Sequence, residues 1–536
     1  MKKLKLVCVA IAMAGAAPTF AGGLLTNTNQ HVAFNRMMSR EASIGIDGVY
    51  YNPAGVVFMG EGHHLAINWQ LAYQTRTINN DYKLFTNNVN NPITPRDFKG
   101  KAFAPVIPSF QYAYNKGKWS FQANFSLTGG GGKCTFDDGL GSFEKIVSET
   151  AIAACGLAGV VDQTLGNKLG QQGMEMFTSD QAFGKTGKYS FNSYMHGRQY
   201  YYGLSVGAAY KFCDNFSAFL GVRGVYALTN YYGYVENINV GNMPLYKVLD
   251  PTKENAANIE LSCDQTGVGF TPIIGVDYKT GRWNFSAKYE FKTRIRLKNK
   301  SVNQTPSIGN LPANLANQMT GILTARYQQA GLPLEQAKQQ AENTTNAVLN
   351  DPTVGATMMG LKTQFDQKLN KAIGEYEDGK KIAGDIPGYL ALGIGYSPVD
   401  AVRVNVGFHW FDDKNATSYN NRNKELKRGT LEYNAGVEVD VNKKITLSTG
   451  WQNTNYGLSD EYMDDKSFVV GSNSAAIGGV YHINKKMDLN VAYFHTFYQH
   501  KKTSETVQLA ADKSIVYNSD YTRNNNVFAV GLDINF

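Results

Sequence analysis

Long apolar runs are missing from most of this sequence. Beyond residue 22, no stretch approaches the roughly 20 consecutive apolar residues that a transmembrane helix needs. Proline is also scarce, with 15 residues, whereas the chain has 54 glycines and 32 tyrosines. These features exclude a helical membrane protein and favour a strand-rich chain with aromatic girdles. An aromatic-rich soluble sandwich would have the same composition.

Cysteine is scarce as well. Cys8 lies in an N-terminal apolar run, which leaves Cys134, Cys155, Cys213 and Cys263 in the rest of the chain. Cys134 and Cys155 fall in one predicted loop, where they would be either a disulfide staple or free thiols. Because the cysteine spacings match no zinc motif, the sequence predicts no metal site.

Strong charge and enzymatic motifs are also absent. The formal net charge is +8, and subtracting the three lysines among the first five residues leaves +5. No basic tract or finger spacing indicates a nucleic-acid partner. There is no Walker loop and no complete dinucleotide fingerprint, because the glycines at 129–132 precede Lys133 without the required spacing. We therefore expect no enzyme, no cofactor and no bound nucleic acid.

The N-terminus has the three parts of a secretory signal. Lys2, Lys3 and Lys5 provide a positive region, residues 6–17 form an apolar core, and residues 19–21 offer a small-residue cleavage site. The apolar run is too short for a retained membrane anchor. We predict that residues 1–21 are a signal peptide and that the mature chain begins at Gly22.

Alternation of period two is the strongest positive signal. Between Trp119 and Leu127, apolar and polar residues alternate at every position, and similar segments begin at Leu65, Val402 and Met487. Successive side chains of a strand point to opposite faces, so each segment has one apolar and one polar face. We count about fourteen such segments, centred near residues 70, 110, 123, 206, 224, 272, 290, 391, 406, 436, 450, 479, 492 and 531. An even number lets an antiparallel barrel close without an edge.

The connections between these segments alternate in length. Short turns such as 115–118 and 442–444 alternate with long polar loops, which we assign to residues 129–198, 236–265, 298–385, 456–473 and 499–524. Outer-membrane barrels have short periplasmic turns and long outer loops. The sequence therefore predicts an all-β membrane protein, with residues 63–536 forming an antiparallel transmembrane β-barrel of about 14 strands.

Apolar spacing of three and four residues inside the long loops predicts amphipathic helices. The spacing occurs at 157–169, 311–323 and 354–373. Two interpretations are open and compatible: ordinary packing of loop helices on one another, or an apolar groove at the outer mouth that captures a hydrophobic ligand.

The C-terminus alternates to its last residue. Apolar side chains occupy every second position from Phe528 to Phe536. This resembles the terminal strand that the outer-membrane assembly machinery recognises. It predicts that machinery as a partner through Phe536, and the bacterial outer membrane as the location.

The segment before the first strand does not alternate. Residues 22–62 are rich in small residues, and Pro53 interrupts any helix or central strand. The segment carries the motif Asn52, Pro53, Ala54 and Gly55. With residues 104–110 and 119–127, this segment resembles the FadL/TodX family of outer-membrane transporters of long-chain fatty acids and hydrocarbons. The resemblance covers the layout of the mature chain and is specific at 22–60 and 104–128.

The resemblance implies a monomeric barrel of about fourteen strands, closed by residues 22–62 as an N-terminal hatch. It also implies passive uptake of a hydrophobic small molecule and an exit through the wall near strand three. Two positions depart from the family. The third strand has its glycines at 129–132 and none from Trp119 to Leu127, and Leu228 follows residues 225–227 where the transporters carry a basic residue. The cargo, whether fatty acid, hydrocarbon or another lipid, therefore stays open, and a neutral cargo fits the second departure.

The same alternation predicts which charges face the lumen. If residues such as Trp283, Phe285 and Ile295 face lipid, the charged residues between them face inward, since Lys or Arg in mid-membrane costs roughly 2–4 kcal/mol. The predicted inward residues are Arg76, Arg223, Lys288, Arg294, Arg403 and His409. They would either hold the hatch by ion pairs or bind an anionic headgroup.

Two other functions fit a barrel of this kind. One is a general outer-membrane porin, which uses a folded-in loop and no N-terminal hatch. The other is a surface receptor or adhesin that uses the long outer loops. In every case we expect contacts with outer-membrane lipids and lipopolysaccharide.

Overall fold

The structure is a computed structural model. It describes residue 26 and residues 29–171, 173–510 and 513–536. The predicted signal peptide and Gly22 lie outside the described residues. Strands dominate the described part of the chain, and helices occupy the N-terminal segment and the connections at one end of the barrel.

The strands form one antiparallel sheet. They are β1 (Gly62–Tyr82), β2 (Arg96–Lys116), β3 (Trp119–Phe136), β4 (Tyr189–Cys213), β5 (Phe216–Val240), β6 (Met243–Pro244), β7 (Ile259–Thr280), β8 (Trp283–Glu290), β9 (Arg296–Gln304), β10 (Lys381–Ala383), β11 (Tyr389–Val399), β12 (Val402–Phe411), β13 (Arg428–Asn442), β14 (Ile445–Gly457), β15 (Ser472–Asn484), β16 (Met487–Tyr498), β17 (Lys501–Ala510) and β18 (Lys513–Asn535).

The barrel closes between its first and last strands. Leu65 pairs with Tyr112 of β2 on one side and with Ile534 of β18 on the other. Strands β6 and β17 belong to the outer connections, and β9 and β10 continue β8 and β11 beyond short breaks. The other fourteen strands form the closed wall, so the predicted fold and strand number are confirmed.

Among the residues that the structure describes, seven α-helices lie outside the wall strands. They are α1 (Val32–Met37), α2 (Gly48–Tyr51), α3 (Gly141–Leu169), α4 (Tyr246–Leu249), α5 (Leu311–Gln329), α6 (Leu334–Leu349) and α7 (Pro352–Ile373). Short 3-10 helices span Gly55–Phe58, Lys83–Asn87, Gly374–Tyr376, Asp413–Asn415 and Tyr419–Glu425. We call the end with the short turns the inner end and the end with the long connections the outer end.

The two faces of the wall differ as the alternation predicts. Large apolar side chains such as Leu220, Phe270 and Ile477 are exposed on the outside, whereas Gln111 and Asn124 are buried inside. An outward apolar band with a polar interior is typical of a barrel that crosses a lipid bilayer.

Several predicted loop boundaries are wrong. Strand β3 continues to Phe136 and β4 begins at Tyr189, so the connection is shorter than the predicted loop 129–198. The predicted loop 499–524 is largely the hairpin of β17 and β18. In these extensions apolar and polar residues no longer alternate at every position, as the four glycines of 129–132 illustrate.

Three of the outer connections, those after β3, β5 and β9, pack around one large apolar cluster. Its buried residues include Leu157 and Val161 of α3, Leu315 and Met319 of α5, and Val354 of α7. Helix α3 is long and apolar enough to cross a membrane, but it packs against α6 and α7. The predicted helical spacing therefore serves to fold the outer loops on one another.

Candidate functional site

The N-terminal segment fills the inner half of the barrel. Nearly every residue from 30 to 57 is buried, and α1 packs against β13, β14, β15, β16 and β18. We call the wall positions that contact this segment the hatch seat.

Glycines make room for the segment on the inner wall. Gly436 of β13 pairs directly with Gly450 of β14, and a Cβ on either one would collide with the carbonyl oxygen of Met37. Gly393 and Gly407 are paired in the same way on β11 and β12, where Glu41 occupies the space. Close approach of a second backbone is one reason for glycine inside a strand.

The motif at 52–55 contacts three wall strands. The Asn52 side chain donates a hydrogen bond to Asp277 Oδ2 of β7 (2.6 Å), and its own oxygen accepts from the Gly55 N–H (3.2 Å). Carbonyl oxygens of the motif also accept hydrogen bonds, at Pro53 from Gln122 of β3 and at Ala54 from Ser217 of β5, both at 2.7 Å. A Cβ at Gly55 would collide with the Asn52 amide.

A buried ion network joins α1 to β13. The Glu438 carboxylate pairs with Arg36 and, at 3.2 Å, with Arg40, whose guanidinium also binds Asp47 at 2.7 and 3.0 Å. Arg403 reaches the same carboxylate at 3.3 Å. All but Arg403 are buried. Several hydrogen bonds per charge are what a buried ion pair needs to offset desolvation.

A second network centres on His409. Its Nε2 lies 2.7 Å from Glu41 of the N-terminal segment, and its Nδ1 lies 2.9 Å from Glu432 of β13. All three side chains are at most 1% exposed. The imidazole therefore bridges the segment to the wall.

A third network lies beneath α2. The Arg223 guanidinium makes two hydrogen bonds to Glu290, of 2.6 and 2.9 Å. Lys288 Nζ donates to the same carboxylate (2.9 Å) and to the Tyr50 carbonyl oxygen (2.7 Å). Both cations also lie over the Tyr50 ring.

Of the six predicted lumen residues, Arg223, Lys288 and His409 lie in the hatch seat. Arg403 is linked to it through Glu438, and Arg76 lies above it. The placement of Arg294 is wrong. The strand breaks at 291–295, so the alternation shifts there: Ile295 is buried and Arg294 is exposed.

Sequence reasoning missed two of the acidic partners of these cations, Glu432 and Glu438. Glu432 and Glu438 alternate with Leu431, Tyr433 and Val437 on β13, so strand parity alone would have assigned them to the lumen. Parity gives no information about which cation each carboxylate pairs with, since Arg36, for example, is 402 residues away from Glu438 in the chain.

A second region, which we call the upper cavity, lies between the N-terminal segment and the connection 458–471. It has a volume of about 260 Å³ and is bordered by Asn29 and Gln30 on one side and by residues 466–469 on the other. Its charged lining residues are Arg76, Lys466 and Arg523, all of them cations.

The wall is interrupted beside the upper cavity. Strands β2 and β3 pair at Ala102 with Cys134 and again at Phe110 with Phe125. Between these points, residues 103–109 of β2 and 126–133 of β3 do not pair with each other, although each segment pairs with the strand on its other side. Pro105 lacks the N–H that a ladder needs, and residues 103–109 also contain Pro108.

The glycines of this part of β3 bend the strand. Gly130 has a φ of +76°, in the left-handed region that favours glycine, and the register with β4 shifts on both sides of it. The departure from the family noted in the sequence thus falls at a gap in the wall. The four described cysteines beyond residue 22 are free thiols, and Cys134 belongs to β3 and not to a loop.

The outer loops enclose a further pocket of about 100 Å³ with an almost wholly apolar lining. Its residues come from α3 and the connection that follows it, from α4, α5 and α7, and from the end of β5. They include Leu157, Phe177, Leu249, Leu315 and Phe365. This pocket corresponds to the predicted groove at the outer mouth.

Buried carboxyls lie in the outer connections that cover the upper cavity. Glu375 is 2% exposed, and burial raises the pKa of its carboxyl to about 8 despite the opposing charges of Lys466 and Arg422. Burial also raises the pKa of Asp465 to about 6, and this carboxyl accepts the backbone N–H of Ser142 at the start of α3 (2.8 Å).

The fold is similar to that of solved outer-membrane proteins. A crystal structure of a Pseudomonas aeruginosa FadL homologue matches 96% of this chain and 100% of its own, with a TM-score of 0.56 and 13% identity. The toluene transporters TodX of P. putida (TM-score 0.48, 11% identity, 92% and 94% of the two chains) and TbuX of Ralstonia pickettii (0.47, 12%, 98% and 99%) are also similar. No protein-family model and no curated protein matches the sequence. At these identities the likeness establishes the fold.

Proposed function

We propose that this chain is a bacterial outer-membrane transporter for the passive uptake of hydrophobic small molecules, with residues 22–62 acting as its hatch. One observation carries the proposal. The upper cavity is closed on its inner side by the N-terminal segment and borders the interruption between β2 and β3. A molecule in this cavity is therefore adjacent to lipid.

The proposed route has three stages. A hydrophobic molecule first binds the apolar pocket among α3, α5 and α7, since removing apolar surface from water contributes about 25 cal/mol per Å². It then passes to the upper cavity. It leaves between residues 103–109 and 126–133, into the hydrocarbon of the membrane.

Exit through the gap between β2 and β3 leaves the contacts of the hatch seat intact. Moving residues 30–57 aside would break the networks around Glu438, His409 and Glu290, and separating buried partners is expensive. Smaller shifts of the hatch would suffice to admit cargo to the gap, with binding selecting among conformations already populated. A general porin, by contrast, needs an open lumen, which the filled inner half disfavours.

The proposal also covers the oligomeric state, the assembly and the lipid contacts of the protein. We infer that the protein is a monomer, that Phe536 is read by the assembly machinery, and that the outward apolar band contacts outer-membrane lipids and lipopolysaccharide.

Deletion of residues 22–60 tests the hatch. In planar bilayers the intact protein should give little conductance and the deletion variant a steady open pore, while Lys443→Gln at an exposed turn should match the intact protein. A deletion variant without conductance would contradict the role of residues 22–60 as a hatch. A large steady conductance of the intact protein would favour a general porin.

Uptake tests the transport. Cells that lack their own transporters and produce this protein should accumulate radiolabelled toluene or dodecanoate faster than cells with an empty vector. If producing cells and empty-vector cells took up toluene at equal rates, and dodecanoate at equal rates as well, the proposal would be overturned.

A further inference from the structure

The outside of the wall carries a row of cations where the chain passes from β8 into β9. Arg294, Arg296 and Lys298 are exposed, and they alternate with buried residues of the same segment. Lys381 of β10 is the direct ladder partner of Lys298 and is exposed as well. We call Arg294, Arg296, Lys298 and Lys381 the basic row.

The break at 291–295 is what turns these cations outward. On the inner side of the break, apolar residues such as Phe285 and Phe291 are exposed on the outside of the wall. On its outer side, Ile295 and Leu297 are wholly buried in an apolar cluster, and the residues that alternate with them face outward. One stretch of chain therefore presents an apolar face to the outside before the break and a basic face after it.

The basic row lies at the level where the hydrocarbon of the membrane ends. Arg294 follows the start of β8 at Trp283 by about eleven residues, and at ~3.3 Å per residue with a tilt of about 40° these residues rise roughly 28 Å. The apolar band of an outer-membrane barrel is about 25 Å tall. On the neighbouring strand β7, Val268 is 65% exposed and is the outermost apolar residue of the outward face. The cations are therefore at the level of lipid headgroups in the outer leaflet.

Acidic groups balance only part of this charge. Asp385 pairs with Arg296 at 2.8 Å. Among the residues that the structure describes, Arg294, Lys298 and Lys381 take part in no ion pair. Lys298 and Lys381 face each other directly across the ladder, an arrangement of like charges that destabilises a sheet. These cations therefore do not serve to hold the strands together.

The outer rim of the barrel is not basic all the way round. Lys300, the next cation of β9, faces Asp264 of β7 across the ladder. On β14, the outward positions beyond Trp451 are Asn453 and Asn455, which are neutral. The basic row is therefore a local feature of the wall and not a general property of its rim.

We propose that the basic row binds the phosphate groups of lipopolysaccharide in the outer leaflet of the outer membrane. An arginine presents a planar fork that matches a phosphate, and a lysine adds a compact positive charge. A ligand at this level also lies against exposed apolar residues such as Val268 and Phe291, which the acyl chains of a phosphorylated lipid would cover. Charge and position together select a lipid over a soluble anion.

This site goes beyond the proposed transport function, since neither the cargo nor the hatch takes part in it. It depends only on the outer end of the barrel facing the outside of the cell. The bound lipid would fix the height of the wall in the membrane beside β9 and β10.

Native mass spectrometry of the detergent-solubilised protein tests the site. The probes are lipid A with its phosphates, the same lipid A with its phosphates removed, and phosphatidylglycerol as a phosphorylated lipid without sugars. We expect lipid A to bind on the order of ten-fold more tightly than the dephosphorylated form, because hydrogen bonds between ionised groups are the strong ones. This difference should shrink as the salt concentration rises, since salt screens exposed charges.

Neutralising the row separates recognition of phosphate from binding of acyl chains. The combined variant Arg294→Gln, Lys298→Gln and Lys381→Gln should bind both forms of lipid A with the affinity of the dephosphorylated form. Should this variant fold poorly, Arg294→Lys keeps the charge and loses the fork, and it should weaken binding of lipid A without changing binding of the dephosphorylated form.

A charge-matched variant is the control. Lys443→Gln, Lys444→Gln and Lys485→Gln together remove the same charge from exposed inner turns, and this protein should bind every probe as the unaltered protein does. Equal losses of lipid A affinity in the two triple variants would overturn the site, because the effect would then follow from net charge alone.

Three further outcomes would contradict the proposal. Equal affinities of the unaltered protein for the two forms of lipid A would show that phosphate is not recognised. Phosphatidylglycerol binding as tight as that of lipid A would overturn the choice of lipopolysaccharide. Displacement of lipid A by inorganic phosphate would indicate a site for a soluble anion. All of these results are separate from those of the conductance and uptake experiments.

Discussion

The hatch seat and the upper cavity lie in the same lumen but differ in charge balance. The cations of the seat have acidic partners, whereas two arginines of the cavity have none in the described part of the chain. In the seat, Arg36, Arg40 and Arg403 share the carboxylate of Glu438, and the backbone of α1 lies directly on the wall. In the upper cavity, Arg76 and Arg523 are adjacent and have no acidic partner in the described part of the chain.

This difference separates two arrangements of cations in the lumen. Where each cation has its carboxylate inside the protein, the charge fixes one arrangement of the chain, and removing a partner leaves an uncompensated charge. Where the carboxylate is missing, the charge does not hold the chain in this way. Substitutions in the seat, at the wall gap and in the outer connections test this contrast.

Loss of Glu438 should disturb the seat most. Glu438→Gln leaves Arg36 and Arg40 without their shared carboxylate, and breaking a buried pair typically costs 3–5 kcal/mol. We expect a clearly lower midpoint of thermal unfolding and frequent channel openings in planar bilayers. Glu461→Gln, at an exposed loop position, is the matched control. An unchanged midpoint and a closed channel would mean that the network does not hold the hatch.

A methyl group under α1 should have a smaller effect of the same kind. The Cβ of Gly450→Ala collides with the Met37 carbonyl oxygen, and overpacking of this sort costs about 1–3 kcal/mol. Thermal unfolding and conductance would measure it. Gly156→Ala on α3 meets no atom within 4 Å and should behave as the unaltered protein. Equal behaviour of the two variants would show that the segment does not lie on this glycine pair.

Filling the wall gap should slow transport and spare binding. Gly132 faces Ala104 across the interruption, with 3.7 Å between the position of an added Cβ and the Ala104 methyl. Gly132→Leu should reduce the initial uptake rate of radiolabelled dodecanoate several-fold, with the affinity measured in nanodiscs little changed. Normal uptake with a filled gap would place the exit elsewhere. Gly321→Ala on α5, where an added Cβ meets no atom within 4 Å, is the control.

The smallest effect concerns pH and the outer connections. The pKa of Glu375 is raised to about 8 in the folded protein from an ordinary value of 4.5. Its contribution to the stability of the loop is therefore fully present below pH 4.5, and it is lost as pH rises through about 8, where the buried carboxyl ionises.

Hydrogen exchange of residues 374–383 would measure this effect. Protection should fall between about pH 5 and 8 and level off above that, and Glu375→Gln, which stays neutral, should reduce the fall. Asp366→Asn on α7 is the control, because Asp366 is partly exposed and pairs with Lys362. An identical fall in all three proteins would assign the pH dependence to other groups.

Strand parity predicted much of the site and failed where the wall is irregular. It assigned Arg223, Arg403 and His409 to the lumen because β5 and β12 alternate without a break at these positions. It failed at Arg294 because the break at 291–295 shifts the register by one. It also identified Arg76 without Arg523, since the partner belongs to the other end of the chain.

The alternation of apolar and polar residues along the chain is enough to predict the barrel. A period of two residues sets which side chain faces lipid and which faces the lumen, and this local rule needs no knowledge of neighbours. Turn residues and loop lengths then determined the order and direction of the strands.

The pairing of charged side chains follows from the tertiary structure and not from the local sequence pattern. Closure of the sheet brings Arg76 opposite Arg523, and the fold of the N-terminal segment brings Glu41 to His409, residues 368 apart in the chain. The interruption between β2 and β3 arises in the same way, because a ladder is a property of two strands and their register. Charge balance in the lumen is therefore a property of the closed barrel.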